Sequence, residues 1–332
     1  MIKSLYSTLA LGMIPGLLLG LSACPANQEQ SQEASASAPP LKVIEQPIST
    51  PTPLPDKLMV LITHQGKPGT VEMVAEYNSQ AQTFASPLMP IENTTDQSGA
   101  QLQQDEKTLF AKYLPLNQSY PMYINGREIG QFTNQKIDPP GCGDMSQMTG
   151  QFKTELPIKE DTWLAAVAFS PSLALSHPKP PLYEDSKALT AMGENLANAF
   201  LKKQSLSLKD MRDQKITALP ISQPDGSYKM HIFVTAERPP VGEQVCNNGN
   251  FWVLGTWEDD QAQILAGEYK TPGEFPEQSC SSQDLISSFG FRDHLDHILI
   301  RNNGYEWWSY SIYAPGENNQ WSKVYDGGGG GC

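Results

Sequence analysis

The sequence is short of cations, short of cysteine and empty of the usual catalytic signatures. Its 332 residues carry 23 Lys and Arg against 36 Asp and Glu, a formal net charge of −13, with five cysteines and no basic run. Such a chain repels a phosphate backbone, so nucleic acid is not expected as a partner. No G-x-S-x-G elbow, G-x-x-x-x-G-K-[ST] loop, H-E-x-x-H pair or C-x-x-C pair occurs, which leaves the common hydrolase, nucleotide and thiol-redox chemistries without support. No cofactor is expected. Hydrophobic residues at 39% and aromatics at 9% still suffice for a core and exclude global disorder. Glycine and proline, at 26 and 27 residues, exceed their usual combined share of about 12% and favour turn-rich β structure over a helical bundle.

The amino terminus has the layout of an export signal. Lys3 precedes an uncharged, mostly apolar stretch from Leu5 to Leu21, and Ser22, Ala23 and Cys24 follow. A transmembrane anchor is the alternative reading. The stretch is shorter than the roughly 20 residues a spanning helix needs, is interrupted by Pro15 and glycines, and has no stop-transfer charges behind it. Leu21-Ser22-Ala23-Cys24 resembles the lipobox of a bacterial lipoprotein precursor with a type II signal peptide. That resemblance implies cleavage before Cys24, lipidation of its thiol with palmitate-like chains, and a body held on the cell envelope through membrane lipid. Pro25 stands where the inner-membrane retention signal of some Gram-negative lipoproteins has Asp, so outer-membrane placement is expected in such a host.

From Pro25 to Asp56 seven prolines fall in 32 residues with few large apolar side chains, too little buried surface to offset the entropy of ordering. We therefore read 1–23 as signal peptide and 24–56 as the lipidated cysteine with a disordered tether of about 30 Å reach. The remainder divides near 180, where His177-Pro178-Lys179-Pro180-Pro181 interrupts every regular pattern. An N-terminal β-rich domain spans 57–180 and a C-terminal α+β domain spans 181–332.

Local patterns give the fold class: α+β, predominantly antiparallel β, as two small β-rich units with one main amphipathic helix near 185–203. Leu58 to Ile62 reads as a buried strand, as does Trp163 to Phe169. Asn125-Gly126 between apolar alternations predicts a tight hairpin. Leu189, Met192, Leu196, Ala199 and Phe200 recur at helical spacing behind Asp185-Ser186, which can cap. Strands are then expected over 215–222, 228–237, 251–257, 263–269, 297–301 and 307–313, with 92–108 as an exposed loop.

Besides Cys24, four cysteines remain: Cys142, Cys246, Cys280 and Cys332. In an oxidising compartment two disulfides are the default, and three connectivities are possible; Cys246 with Cys280 and Cys142 with Cys332 is the preferred set. Tetrathiolate zinc is disfavoured because no pair has knuckle spacing. A bond to Cys332 would hold the five glycines that precede it; otherwise they form a mobile tail.

Two clusters could carry chemistry. Asp293, His294, Asp296 and His297 lie within five residues, and on a helix the two imidazoles would share a face and could ligate a metal. Strand geometry would separate them instead. Phe289-Gly290-Phe291-Arg292-Asp293-His294-Leu295-Asp296-His297-Ile298-Leu299-Ile300, with Gly304-Tyr305-Glu306-Trp307 behind it, resembles an FG-GAP or VCBS-like β repeat. The resemblance implies a calcium loop. Here Phe291, Arg292, His294 and Leu295 offer no side-chain oxygen, so the calcium is expected to be lost. Tyr305, Trp307 and Tyr313 share one strand face and could stack on a ligand, with Trp308, Tyr310 and Ile312 on the other. The functional expectation is a membrane-anchored envelope lipoprotein with a non-enzymatic binding or structural role toward an envelope protein or a cell-wall glycan. An envelope hydrolase using scattered carboxylates is the alternative.

Overall fold

The computed structural model describes residues 53–66, 68–87, 107–138, 147–154, 164–173, 180–183, 186–239, 249–271, 281–291, 294–304 and 306–331. The signal peptide, Cys24 and the tether up to residue 52 lie outside these, as do Cys142, Cys246, Cys280, Cys332, Asp293, Tyr305 and most of 92–108. The chain is predominantly antiparallel β, as its sequence predicts.

Strands β1 (Lys57–His64), β2 (Gly69–Asn78), β3 (Thr83–Ala85), β4 (Ser119–Ile124), β5 (Arg127–Asp138), β6 (Gln147–Thr154) and β7 (Ala165–Ser170) share one sheet in the order β1-β7-β4-β5-β6-β2-β3. Because β1 pairs with both β7 and β2, the sheet closes on itself as a barrel with β3 appended. Alternation gives β1 two apolar faces. Met59 and Leu61 join Tyr120, Phe132 and Met148 in one cluster, while Leu58, Val60 and Ile62 join another. All five residues from Leu58 to Ile62 are fully buried, which is why the run reads as continuously apolar. Helix α1 (107–113) adds Phe110 and Tyr113 to the first cluster. At the β4–β5 hairpin Asn125 and Gly126 take φ of 49° and 72°, the paired positive values that a two-residue turn demands.

Helix α2 (Lys187–Leu201) follows, with Ser186 Oγ accepting from the Leu189 amide at 3.1 Å as its cap. Then come β8 (Arg212–Ser222), β9 (Tyr228–Glu237), β10 (Asn250–Glu258) and β11 (Gln261–Lys270), an outer sheet in the order β11-β10-β9-β8. Its faces divide cleanly. Ile232, Val234, Phe251 and Val253 meet Leu189, Leu196 and Phe200 of α2, while Phe233, Trp252 and Leu254 face the opposite way.

That opposite face packs on a third sheet of β12 (Ser282–Phe289), β13 (His297–Asn303), β14 (Trp307–Pro315) and β15 (Trp321–Gly331). This sheet is central: Ile298, Ile300, Tyr313 and Trp321 meet the outer sheet, and Leu299, Tyr310, Ile312 and Tyr325 meet the barrel. The layers therefore run barrel, central sheet, outer sheet, helix. Side chains from both sides of residue 180 share the cluster between barrel and central sheet, and Pro51–Cys332 forms one compact unit.

Two segments differ from expectation. Residues 53–56, assigned above to the tether, are held by the barrel: Leu54 packs on its outer cluster, and the carbonyls of Pro55 and Asp56 accept from Ser79 Oγ and Ser79 N at 2.8 and 3.0 Å. The glycine run is not a mobile tail, because Gly327–Gly331 continues β15 against β14. Aromatic rings supply the packing that glycine lacks. Trp308 covers Gly330, where an added Cβ would sit 3.0 Å from its ring, and Tyr325 donates its hydroxyl to the Val74 carbonyl at 2.6 Å. Val74 is the extra residue of a bulge in β2, with Val60 opposite Ala75 and Leu61 opposite Met73.

Candidate functional site

Two groups of polar side chains stand out from the apolar layers. The first is at the barrel–central sheet boundary. Glu72 on β2 accepts from Tyr310 Oη at 2.6 Å and Trp308 Nε1 at 2.8 Å, both on β14, and His64 Nε2 on β1 lies 3.0 Å from its other oxygen. Burial alone would raise the Glu72 pKa. The His64 contact and the two donors from β14 outweigh it, and the carboxyl is held at about 2. The Tyr310 hydroxyl is pushed well up by burial and by the Glu72 charge. A carboxylate with its oxygens engaged in this way is a fastener between layers and is poorly placed to act as a proton donor.

The second group lines a cavity of about 550 Å³ between the outer sheet and the 294–296 segment that leads into β13. Lys229 and His231 reach it from β9, Thr256 and Glu258 from β10, Gln263 and Leu265 from β11. His294, Asp296 and Trp321 form the facing wall. The volume is within the range of about 300–1,000 Å³ usual for small-molecule sites.

Charges in the cavity are already matched. Lys229 Nζ pairs with Glu258 Oε1, and Glu258 Oε2 also accepts from Gln263 Nε2 at 2.8 Å. Asp296 Oδ1 lies 2.6 Å from His297 Nδ1. Its partial burial raises the carboxyl's pKa, but the hydrogen bond from His297 and the nearby imidazoles win and the net shift is downward. His231, 5% exposed, is moved the other way for a base: burial lowers it to about 4, the Lys229 carbonyl opposes this, and the Lys229 charge assists. The ring is therefore neutral near pH 7. Nδ1 is 3.3 Å from the Lys229 carbonyl, and a carbonyl only accepts, so Nδ1 carries the proton and Nε2 is the acceptor.

Thr256 is the exception to this matching. It is 2% exposed and its Oγ1 has no hydrogen-bond partner among the described residues. Leaving a buried hydroxyl unpaired costs about 1–3 kcal/mol; the residue lines the cavity, but its hydroxyl oxygen is closed off from it.

Of the residues singled out by sequence, His294 and Asp296 line this cavity, but His297 does not join them. Its ring packs among Phe84, Phe289 and Phe291 at centroid distances of 5.4, 5.2 and 5.8 Å. The residues 294–296 are irregular and His297 begins β13, so strand geometry turns the two imidazoles apart. Among the described residues no group of three or more His, Cys, Asp or Glu is arranged to hold a metal ion. Trp307 is 46% exposed at one end of β14, whereas Tyr313 is 7% exposed and meets Trp252 edge-on at 4.7 Å. Tyr313 thus serves the interface between sheets, because the central sheet is covered on both faces. Thr256, His231 and Glu72 carry no local sequence signal and were not singled out by it.

A second cavity, of about 590 Å³, lies between the β4–β5 hairpin, residues 181–183 and β8, and is lined mainly by apolar atoms with Arg127 and Glu128 at the hairpin. Comparison of the chain with protein-family models, curated proteins and solved structures finds no match.

Proposed function

We propose that this chain is a lipid-anchored protein of the bacterial envelope whose folded body binds a ligand without transforming it. The Leu21-Ser22-Ala23-Cys24 sequence supports the anchor, with membrane lipid engaged through Cys24 and outer-membrane placement in a Gram-negative host. An acidic body would be repelled by anionic lipid, so acyl chains rather than charge hold it there. The observation that carries the binding role is the state of the cleft carboxylates. Glu258 is paired with Lys229 and Asp296 with His297, and the Asp296 carboxyl is shifted down, not up. Glycoside hydrolysis needs a carboxyl kept protonated as general acid. The partner is an envelope protein or a cell-wall glycan.

The hydrolytic reading rests on the same two carboxylates lining one cavity. Two measurements test the proposal. Cys24→Ala should abolish palmitate incorporation and release of the signal peptide, and a mutant that still labels defeats the anchor. Purified full-length protein should leave cell-wall glycan intact; measurable turnover defeats the binding role in favour of the hydrolase.

A further inference from the structure

We propose that the outer edge of β8, where it borders the second cavity, docks an extended, uncharged segment of a partner protein, which joins the outer sheet as a further strand. This cavity shares no lining residue with the cleft. The proposal therefore stands apart from whatever the cleft binds.

β8 ends the sheet order β11-β10-β9-β8, so one of its edges faces no strand of that sheet. Three observations fix which residues point that way. The β8–β9 turn is closed by Gln223 N donating to the Ser227 carbonyl at 2.8 Å, and bonded positions alternate along an antiparallel ladder. The register runs unbroken from Lys215 to Ser222, so Thr217, Leu219 and Ile221 bond to β9, while Ile216, Ala218, Pro220 and Ser222 turn outward. Ser222 N donates to the Leu295 carbonyl at 2.8 Å, and the Pro220 carbonyl accepts from Ser288 Oγ at 3.4 Å, both away from β9. Pro220 has no N–H to offer, and a strand accommodates that only where the position faces outward from the ladder.

The outward groups of Pro220 and Ser222 are thus engaged, and those of Ile216 and Ala218 are not. Their two N–H and two C=O groups have no partner among the described residues, and both residues are half-buried beside the cavity. The neighbouring edge is treated differently. Asn125, at the β4–β5 hairpin, closes β12 by donating its N–H to Ser287 Oγ at 2.8 Å and accepting from Ser288 N at 2.9 Å. The same hairpin forms the far wall of the cavity, so it leaves a slot alongside β8. An open edge is a template for one more strand, and a polypeptide backbone supplies donors and acceptors at the matching spacing.

The walls and their charge define the segment. Ile124 and Ile129 line the slot, and Leu182, 74% exposed, stands at it; apolar side chains at alternate positions of an added strand suit them. Arg127 and Glu128 are the only charged residues lining it and are opposite in sign, so the slot is neutral on a chain of net charge −13. A second copy of the chain would bring the same excess charge and be repelled. A segment uncharged along its pairing stretch is the complementary one.

The test uses full-length protein in detergent and capped hexapeptides that alternate threonine with valine, leucine or phenylalanine. In the free protein, residue-resolved amide exchange should be faster at Ile216 and Ala218 than at Thr217 and Leu219. At least one hexapeptide should bind and slow exchange at both outward amides, and N-methylation of its alternate amides should abolish binding in one of the two registers. Ala218→Pro, which removes one outward N–H at a position equivalent to Pro220, should weaken binding about tenfold with an unchanged thermal midpoint. Outward amides already as protected as Leu219, failure of every hexapeptide, or binding indifferent to N-methylation in both registers overturns the proposal. Binding only by versions carrying lysine or glutamate in place of threonine overturns the uncharged partner. A dimer in sedimentation that Ala218→Pro converts to monomer overturns it in favour of a second copy.

Discussion

Tyr310 on β14 donates its hydroxyl to Glu72 on β2 at 2.6 Å, across the boundary between central sheet and barrel. The two residues are 238 positions apart in sequence, so the bond closes a very large loop. Trp308 reaches the same carboxylate oxygen at 2.8 Å, and its ring lies under the Arg301 guanidinium at 5.5 Å. A buried carboxylate is stable only when it is this fully engaged. The cluster therefore fixes how the barrel sits on the sheet that also walls the cleft.

Removing the carboxylate charge should weaken this joint. Glu72→Gln is expected to destabilise the protein by about 1–3 kcal/mol, and Tyr310→Phe by about 1–2 kcal/mol. In a double-mutant cycle by urea denaturation the two should couple by about 0.5 kcal/mol or more, because each loses its partner in the other's absence. Additive effects would show that the bond carries no stability.

Acid should unfold the protein in two stretches. His231 has its pKa lowered from 6.5 to about 4, so its contribution is present above pH 6.5 and is lost as pH falls toward 4. Glu72 is lowered from 4.5 to about 2, so its contribution is present above pH 4.5 and is lost as pH falls toward 2. Denaturation midpoints measured from pH 7.5 to 2.5 should fall through both windows. His231→Asn should flatten the upper one and Glu72→Gln the lower.

The glycine strand should tolerate no side chain at its kink. Gly329 has φ of 88°, and a Cβ there would lie 2.1 Å from the Trp308 carbonyl. Gly226, in the β8–β9 turn, has φ of 81° with nothing within 4 Å. Gly226→Ala thus meets backbone strain alone, about 1–2 kcal/mol. Gly329→Ala meets the same strain and a clash with the neighbouring strand, and should cost distinctly more by equilibrium denaturation. Equal costs would mean that β15 is not paired as described.

Much of this architecture is legible in the sequence where local physics decides it. Asn125-Gly126 dictates its hairpin through positive φ, and Ser186 with the Leu189, Leu196 and Phe200 spacing dictates α2. The glycine strand is not legible, since glycine has poor strand propensity and its packing comes from Trp308 and Tyr325. Aromatic residues on both faces of β14 look like a contradiction until the central sheet is seen to be covered twice. The cleft is half legible: His294 and Asp296 attract attention by proximity in sequence. Thr256 and His231 become notable only when β9 and β10 set them side by side under the facing wall.

The most direct test of the account places a photo-crosslinking residue at Gln263, on the cleft, or at Leu116, an exposed barrel-side position, in protein anchored in intact envelopes. A ligand adduct is expected at position 263 and none at 116. No adduct at 263, or equal labelling at both positions, would contradict the binding role.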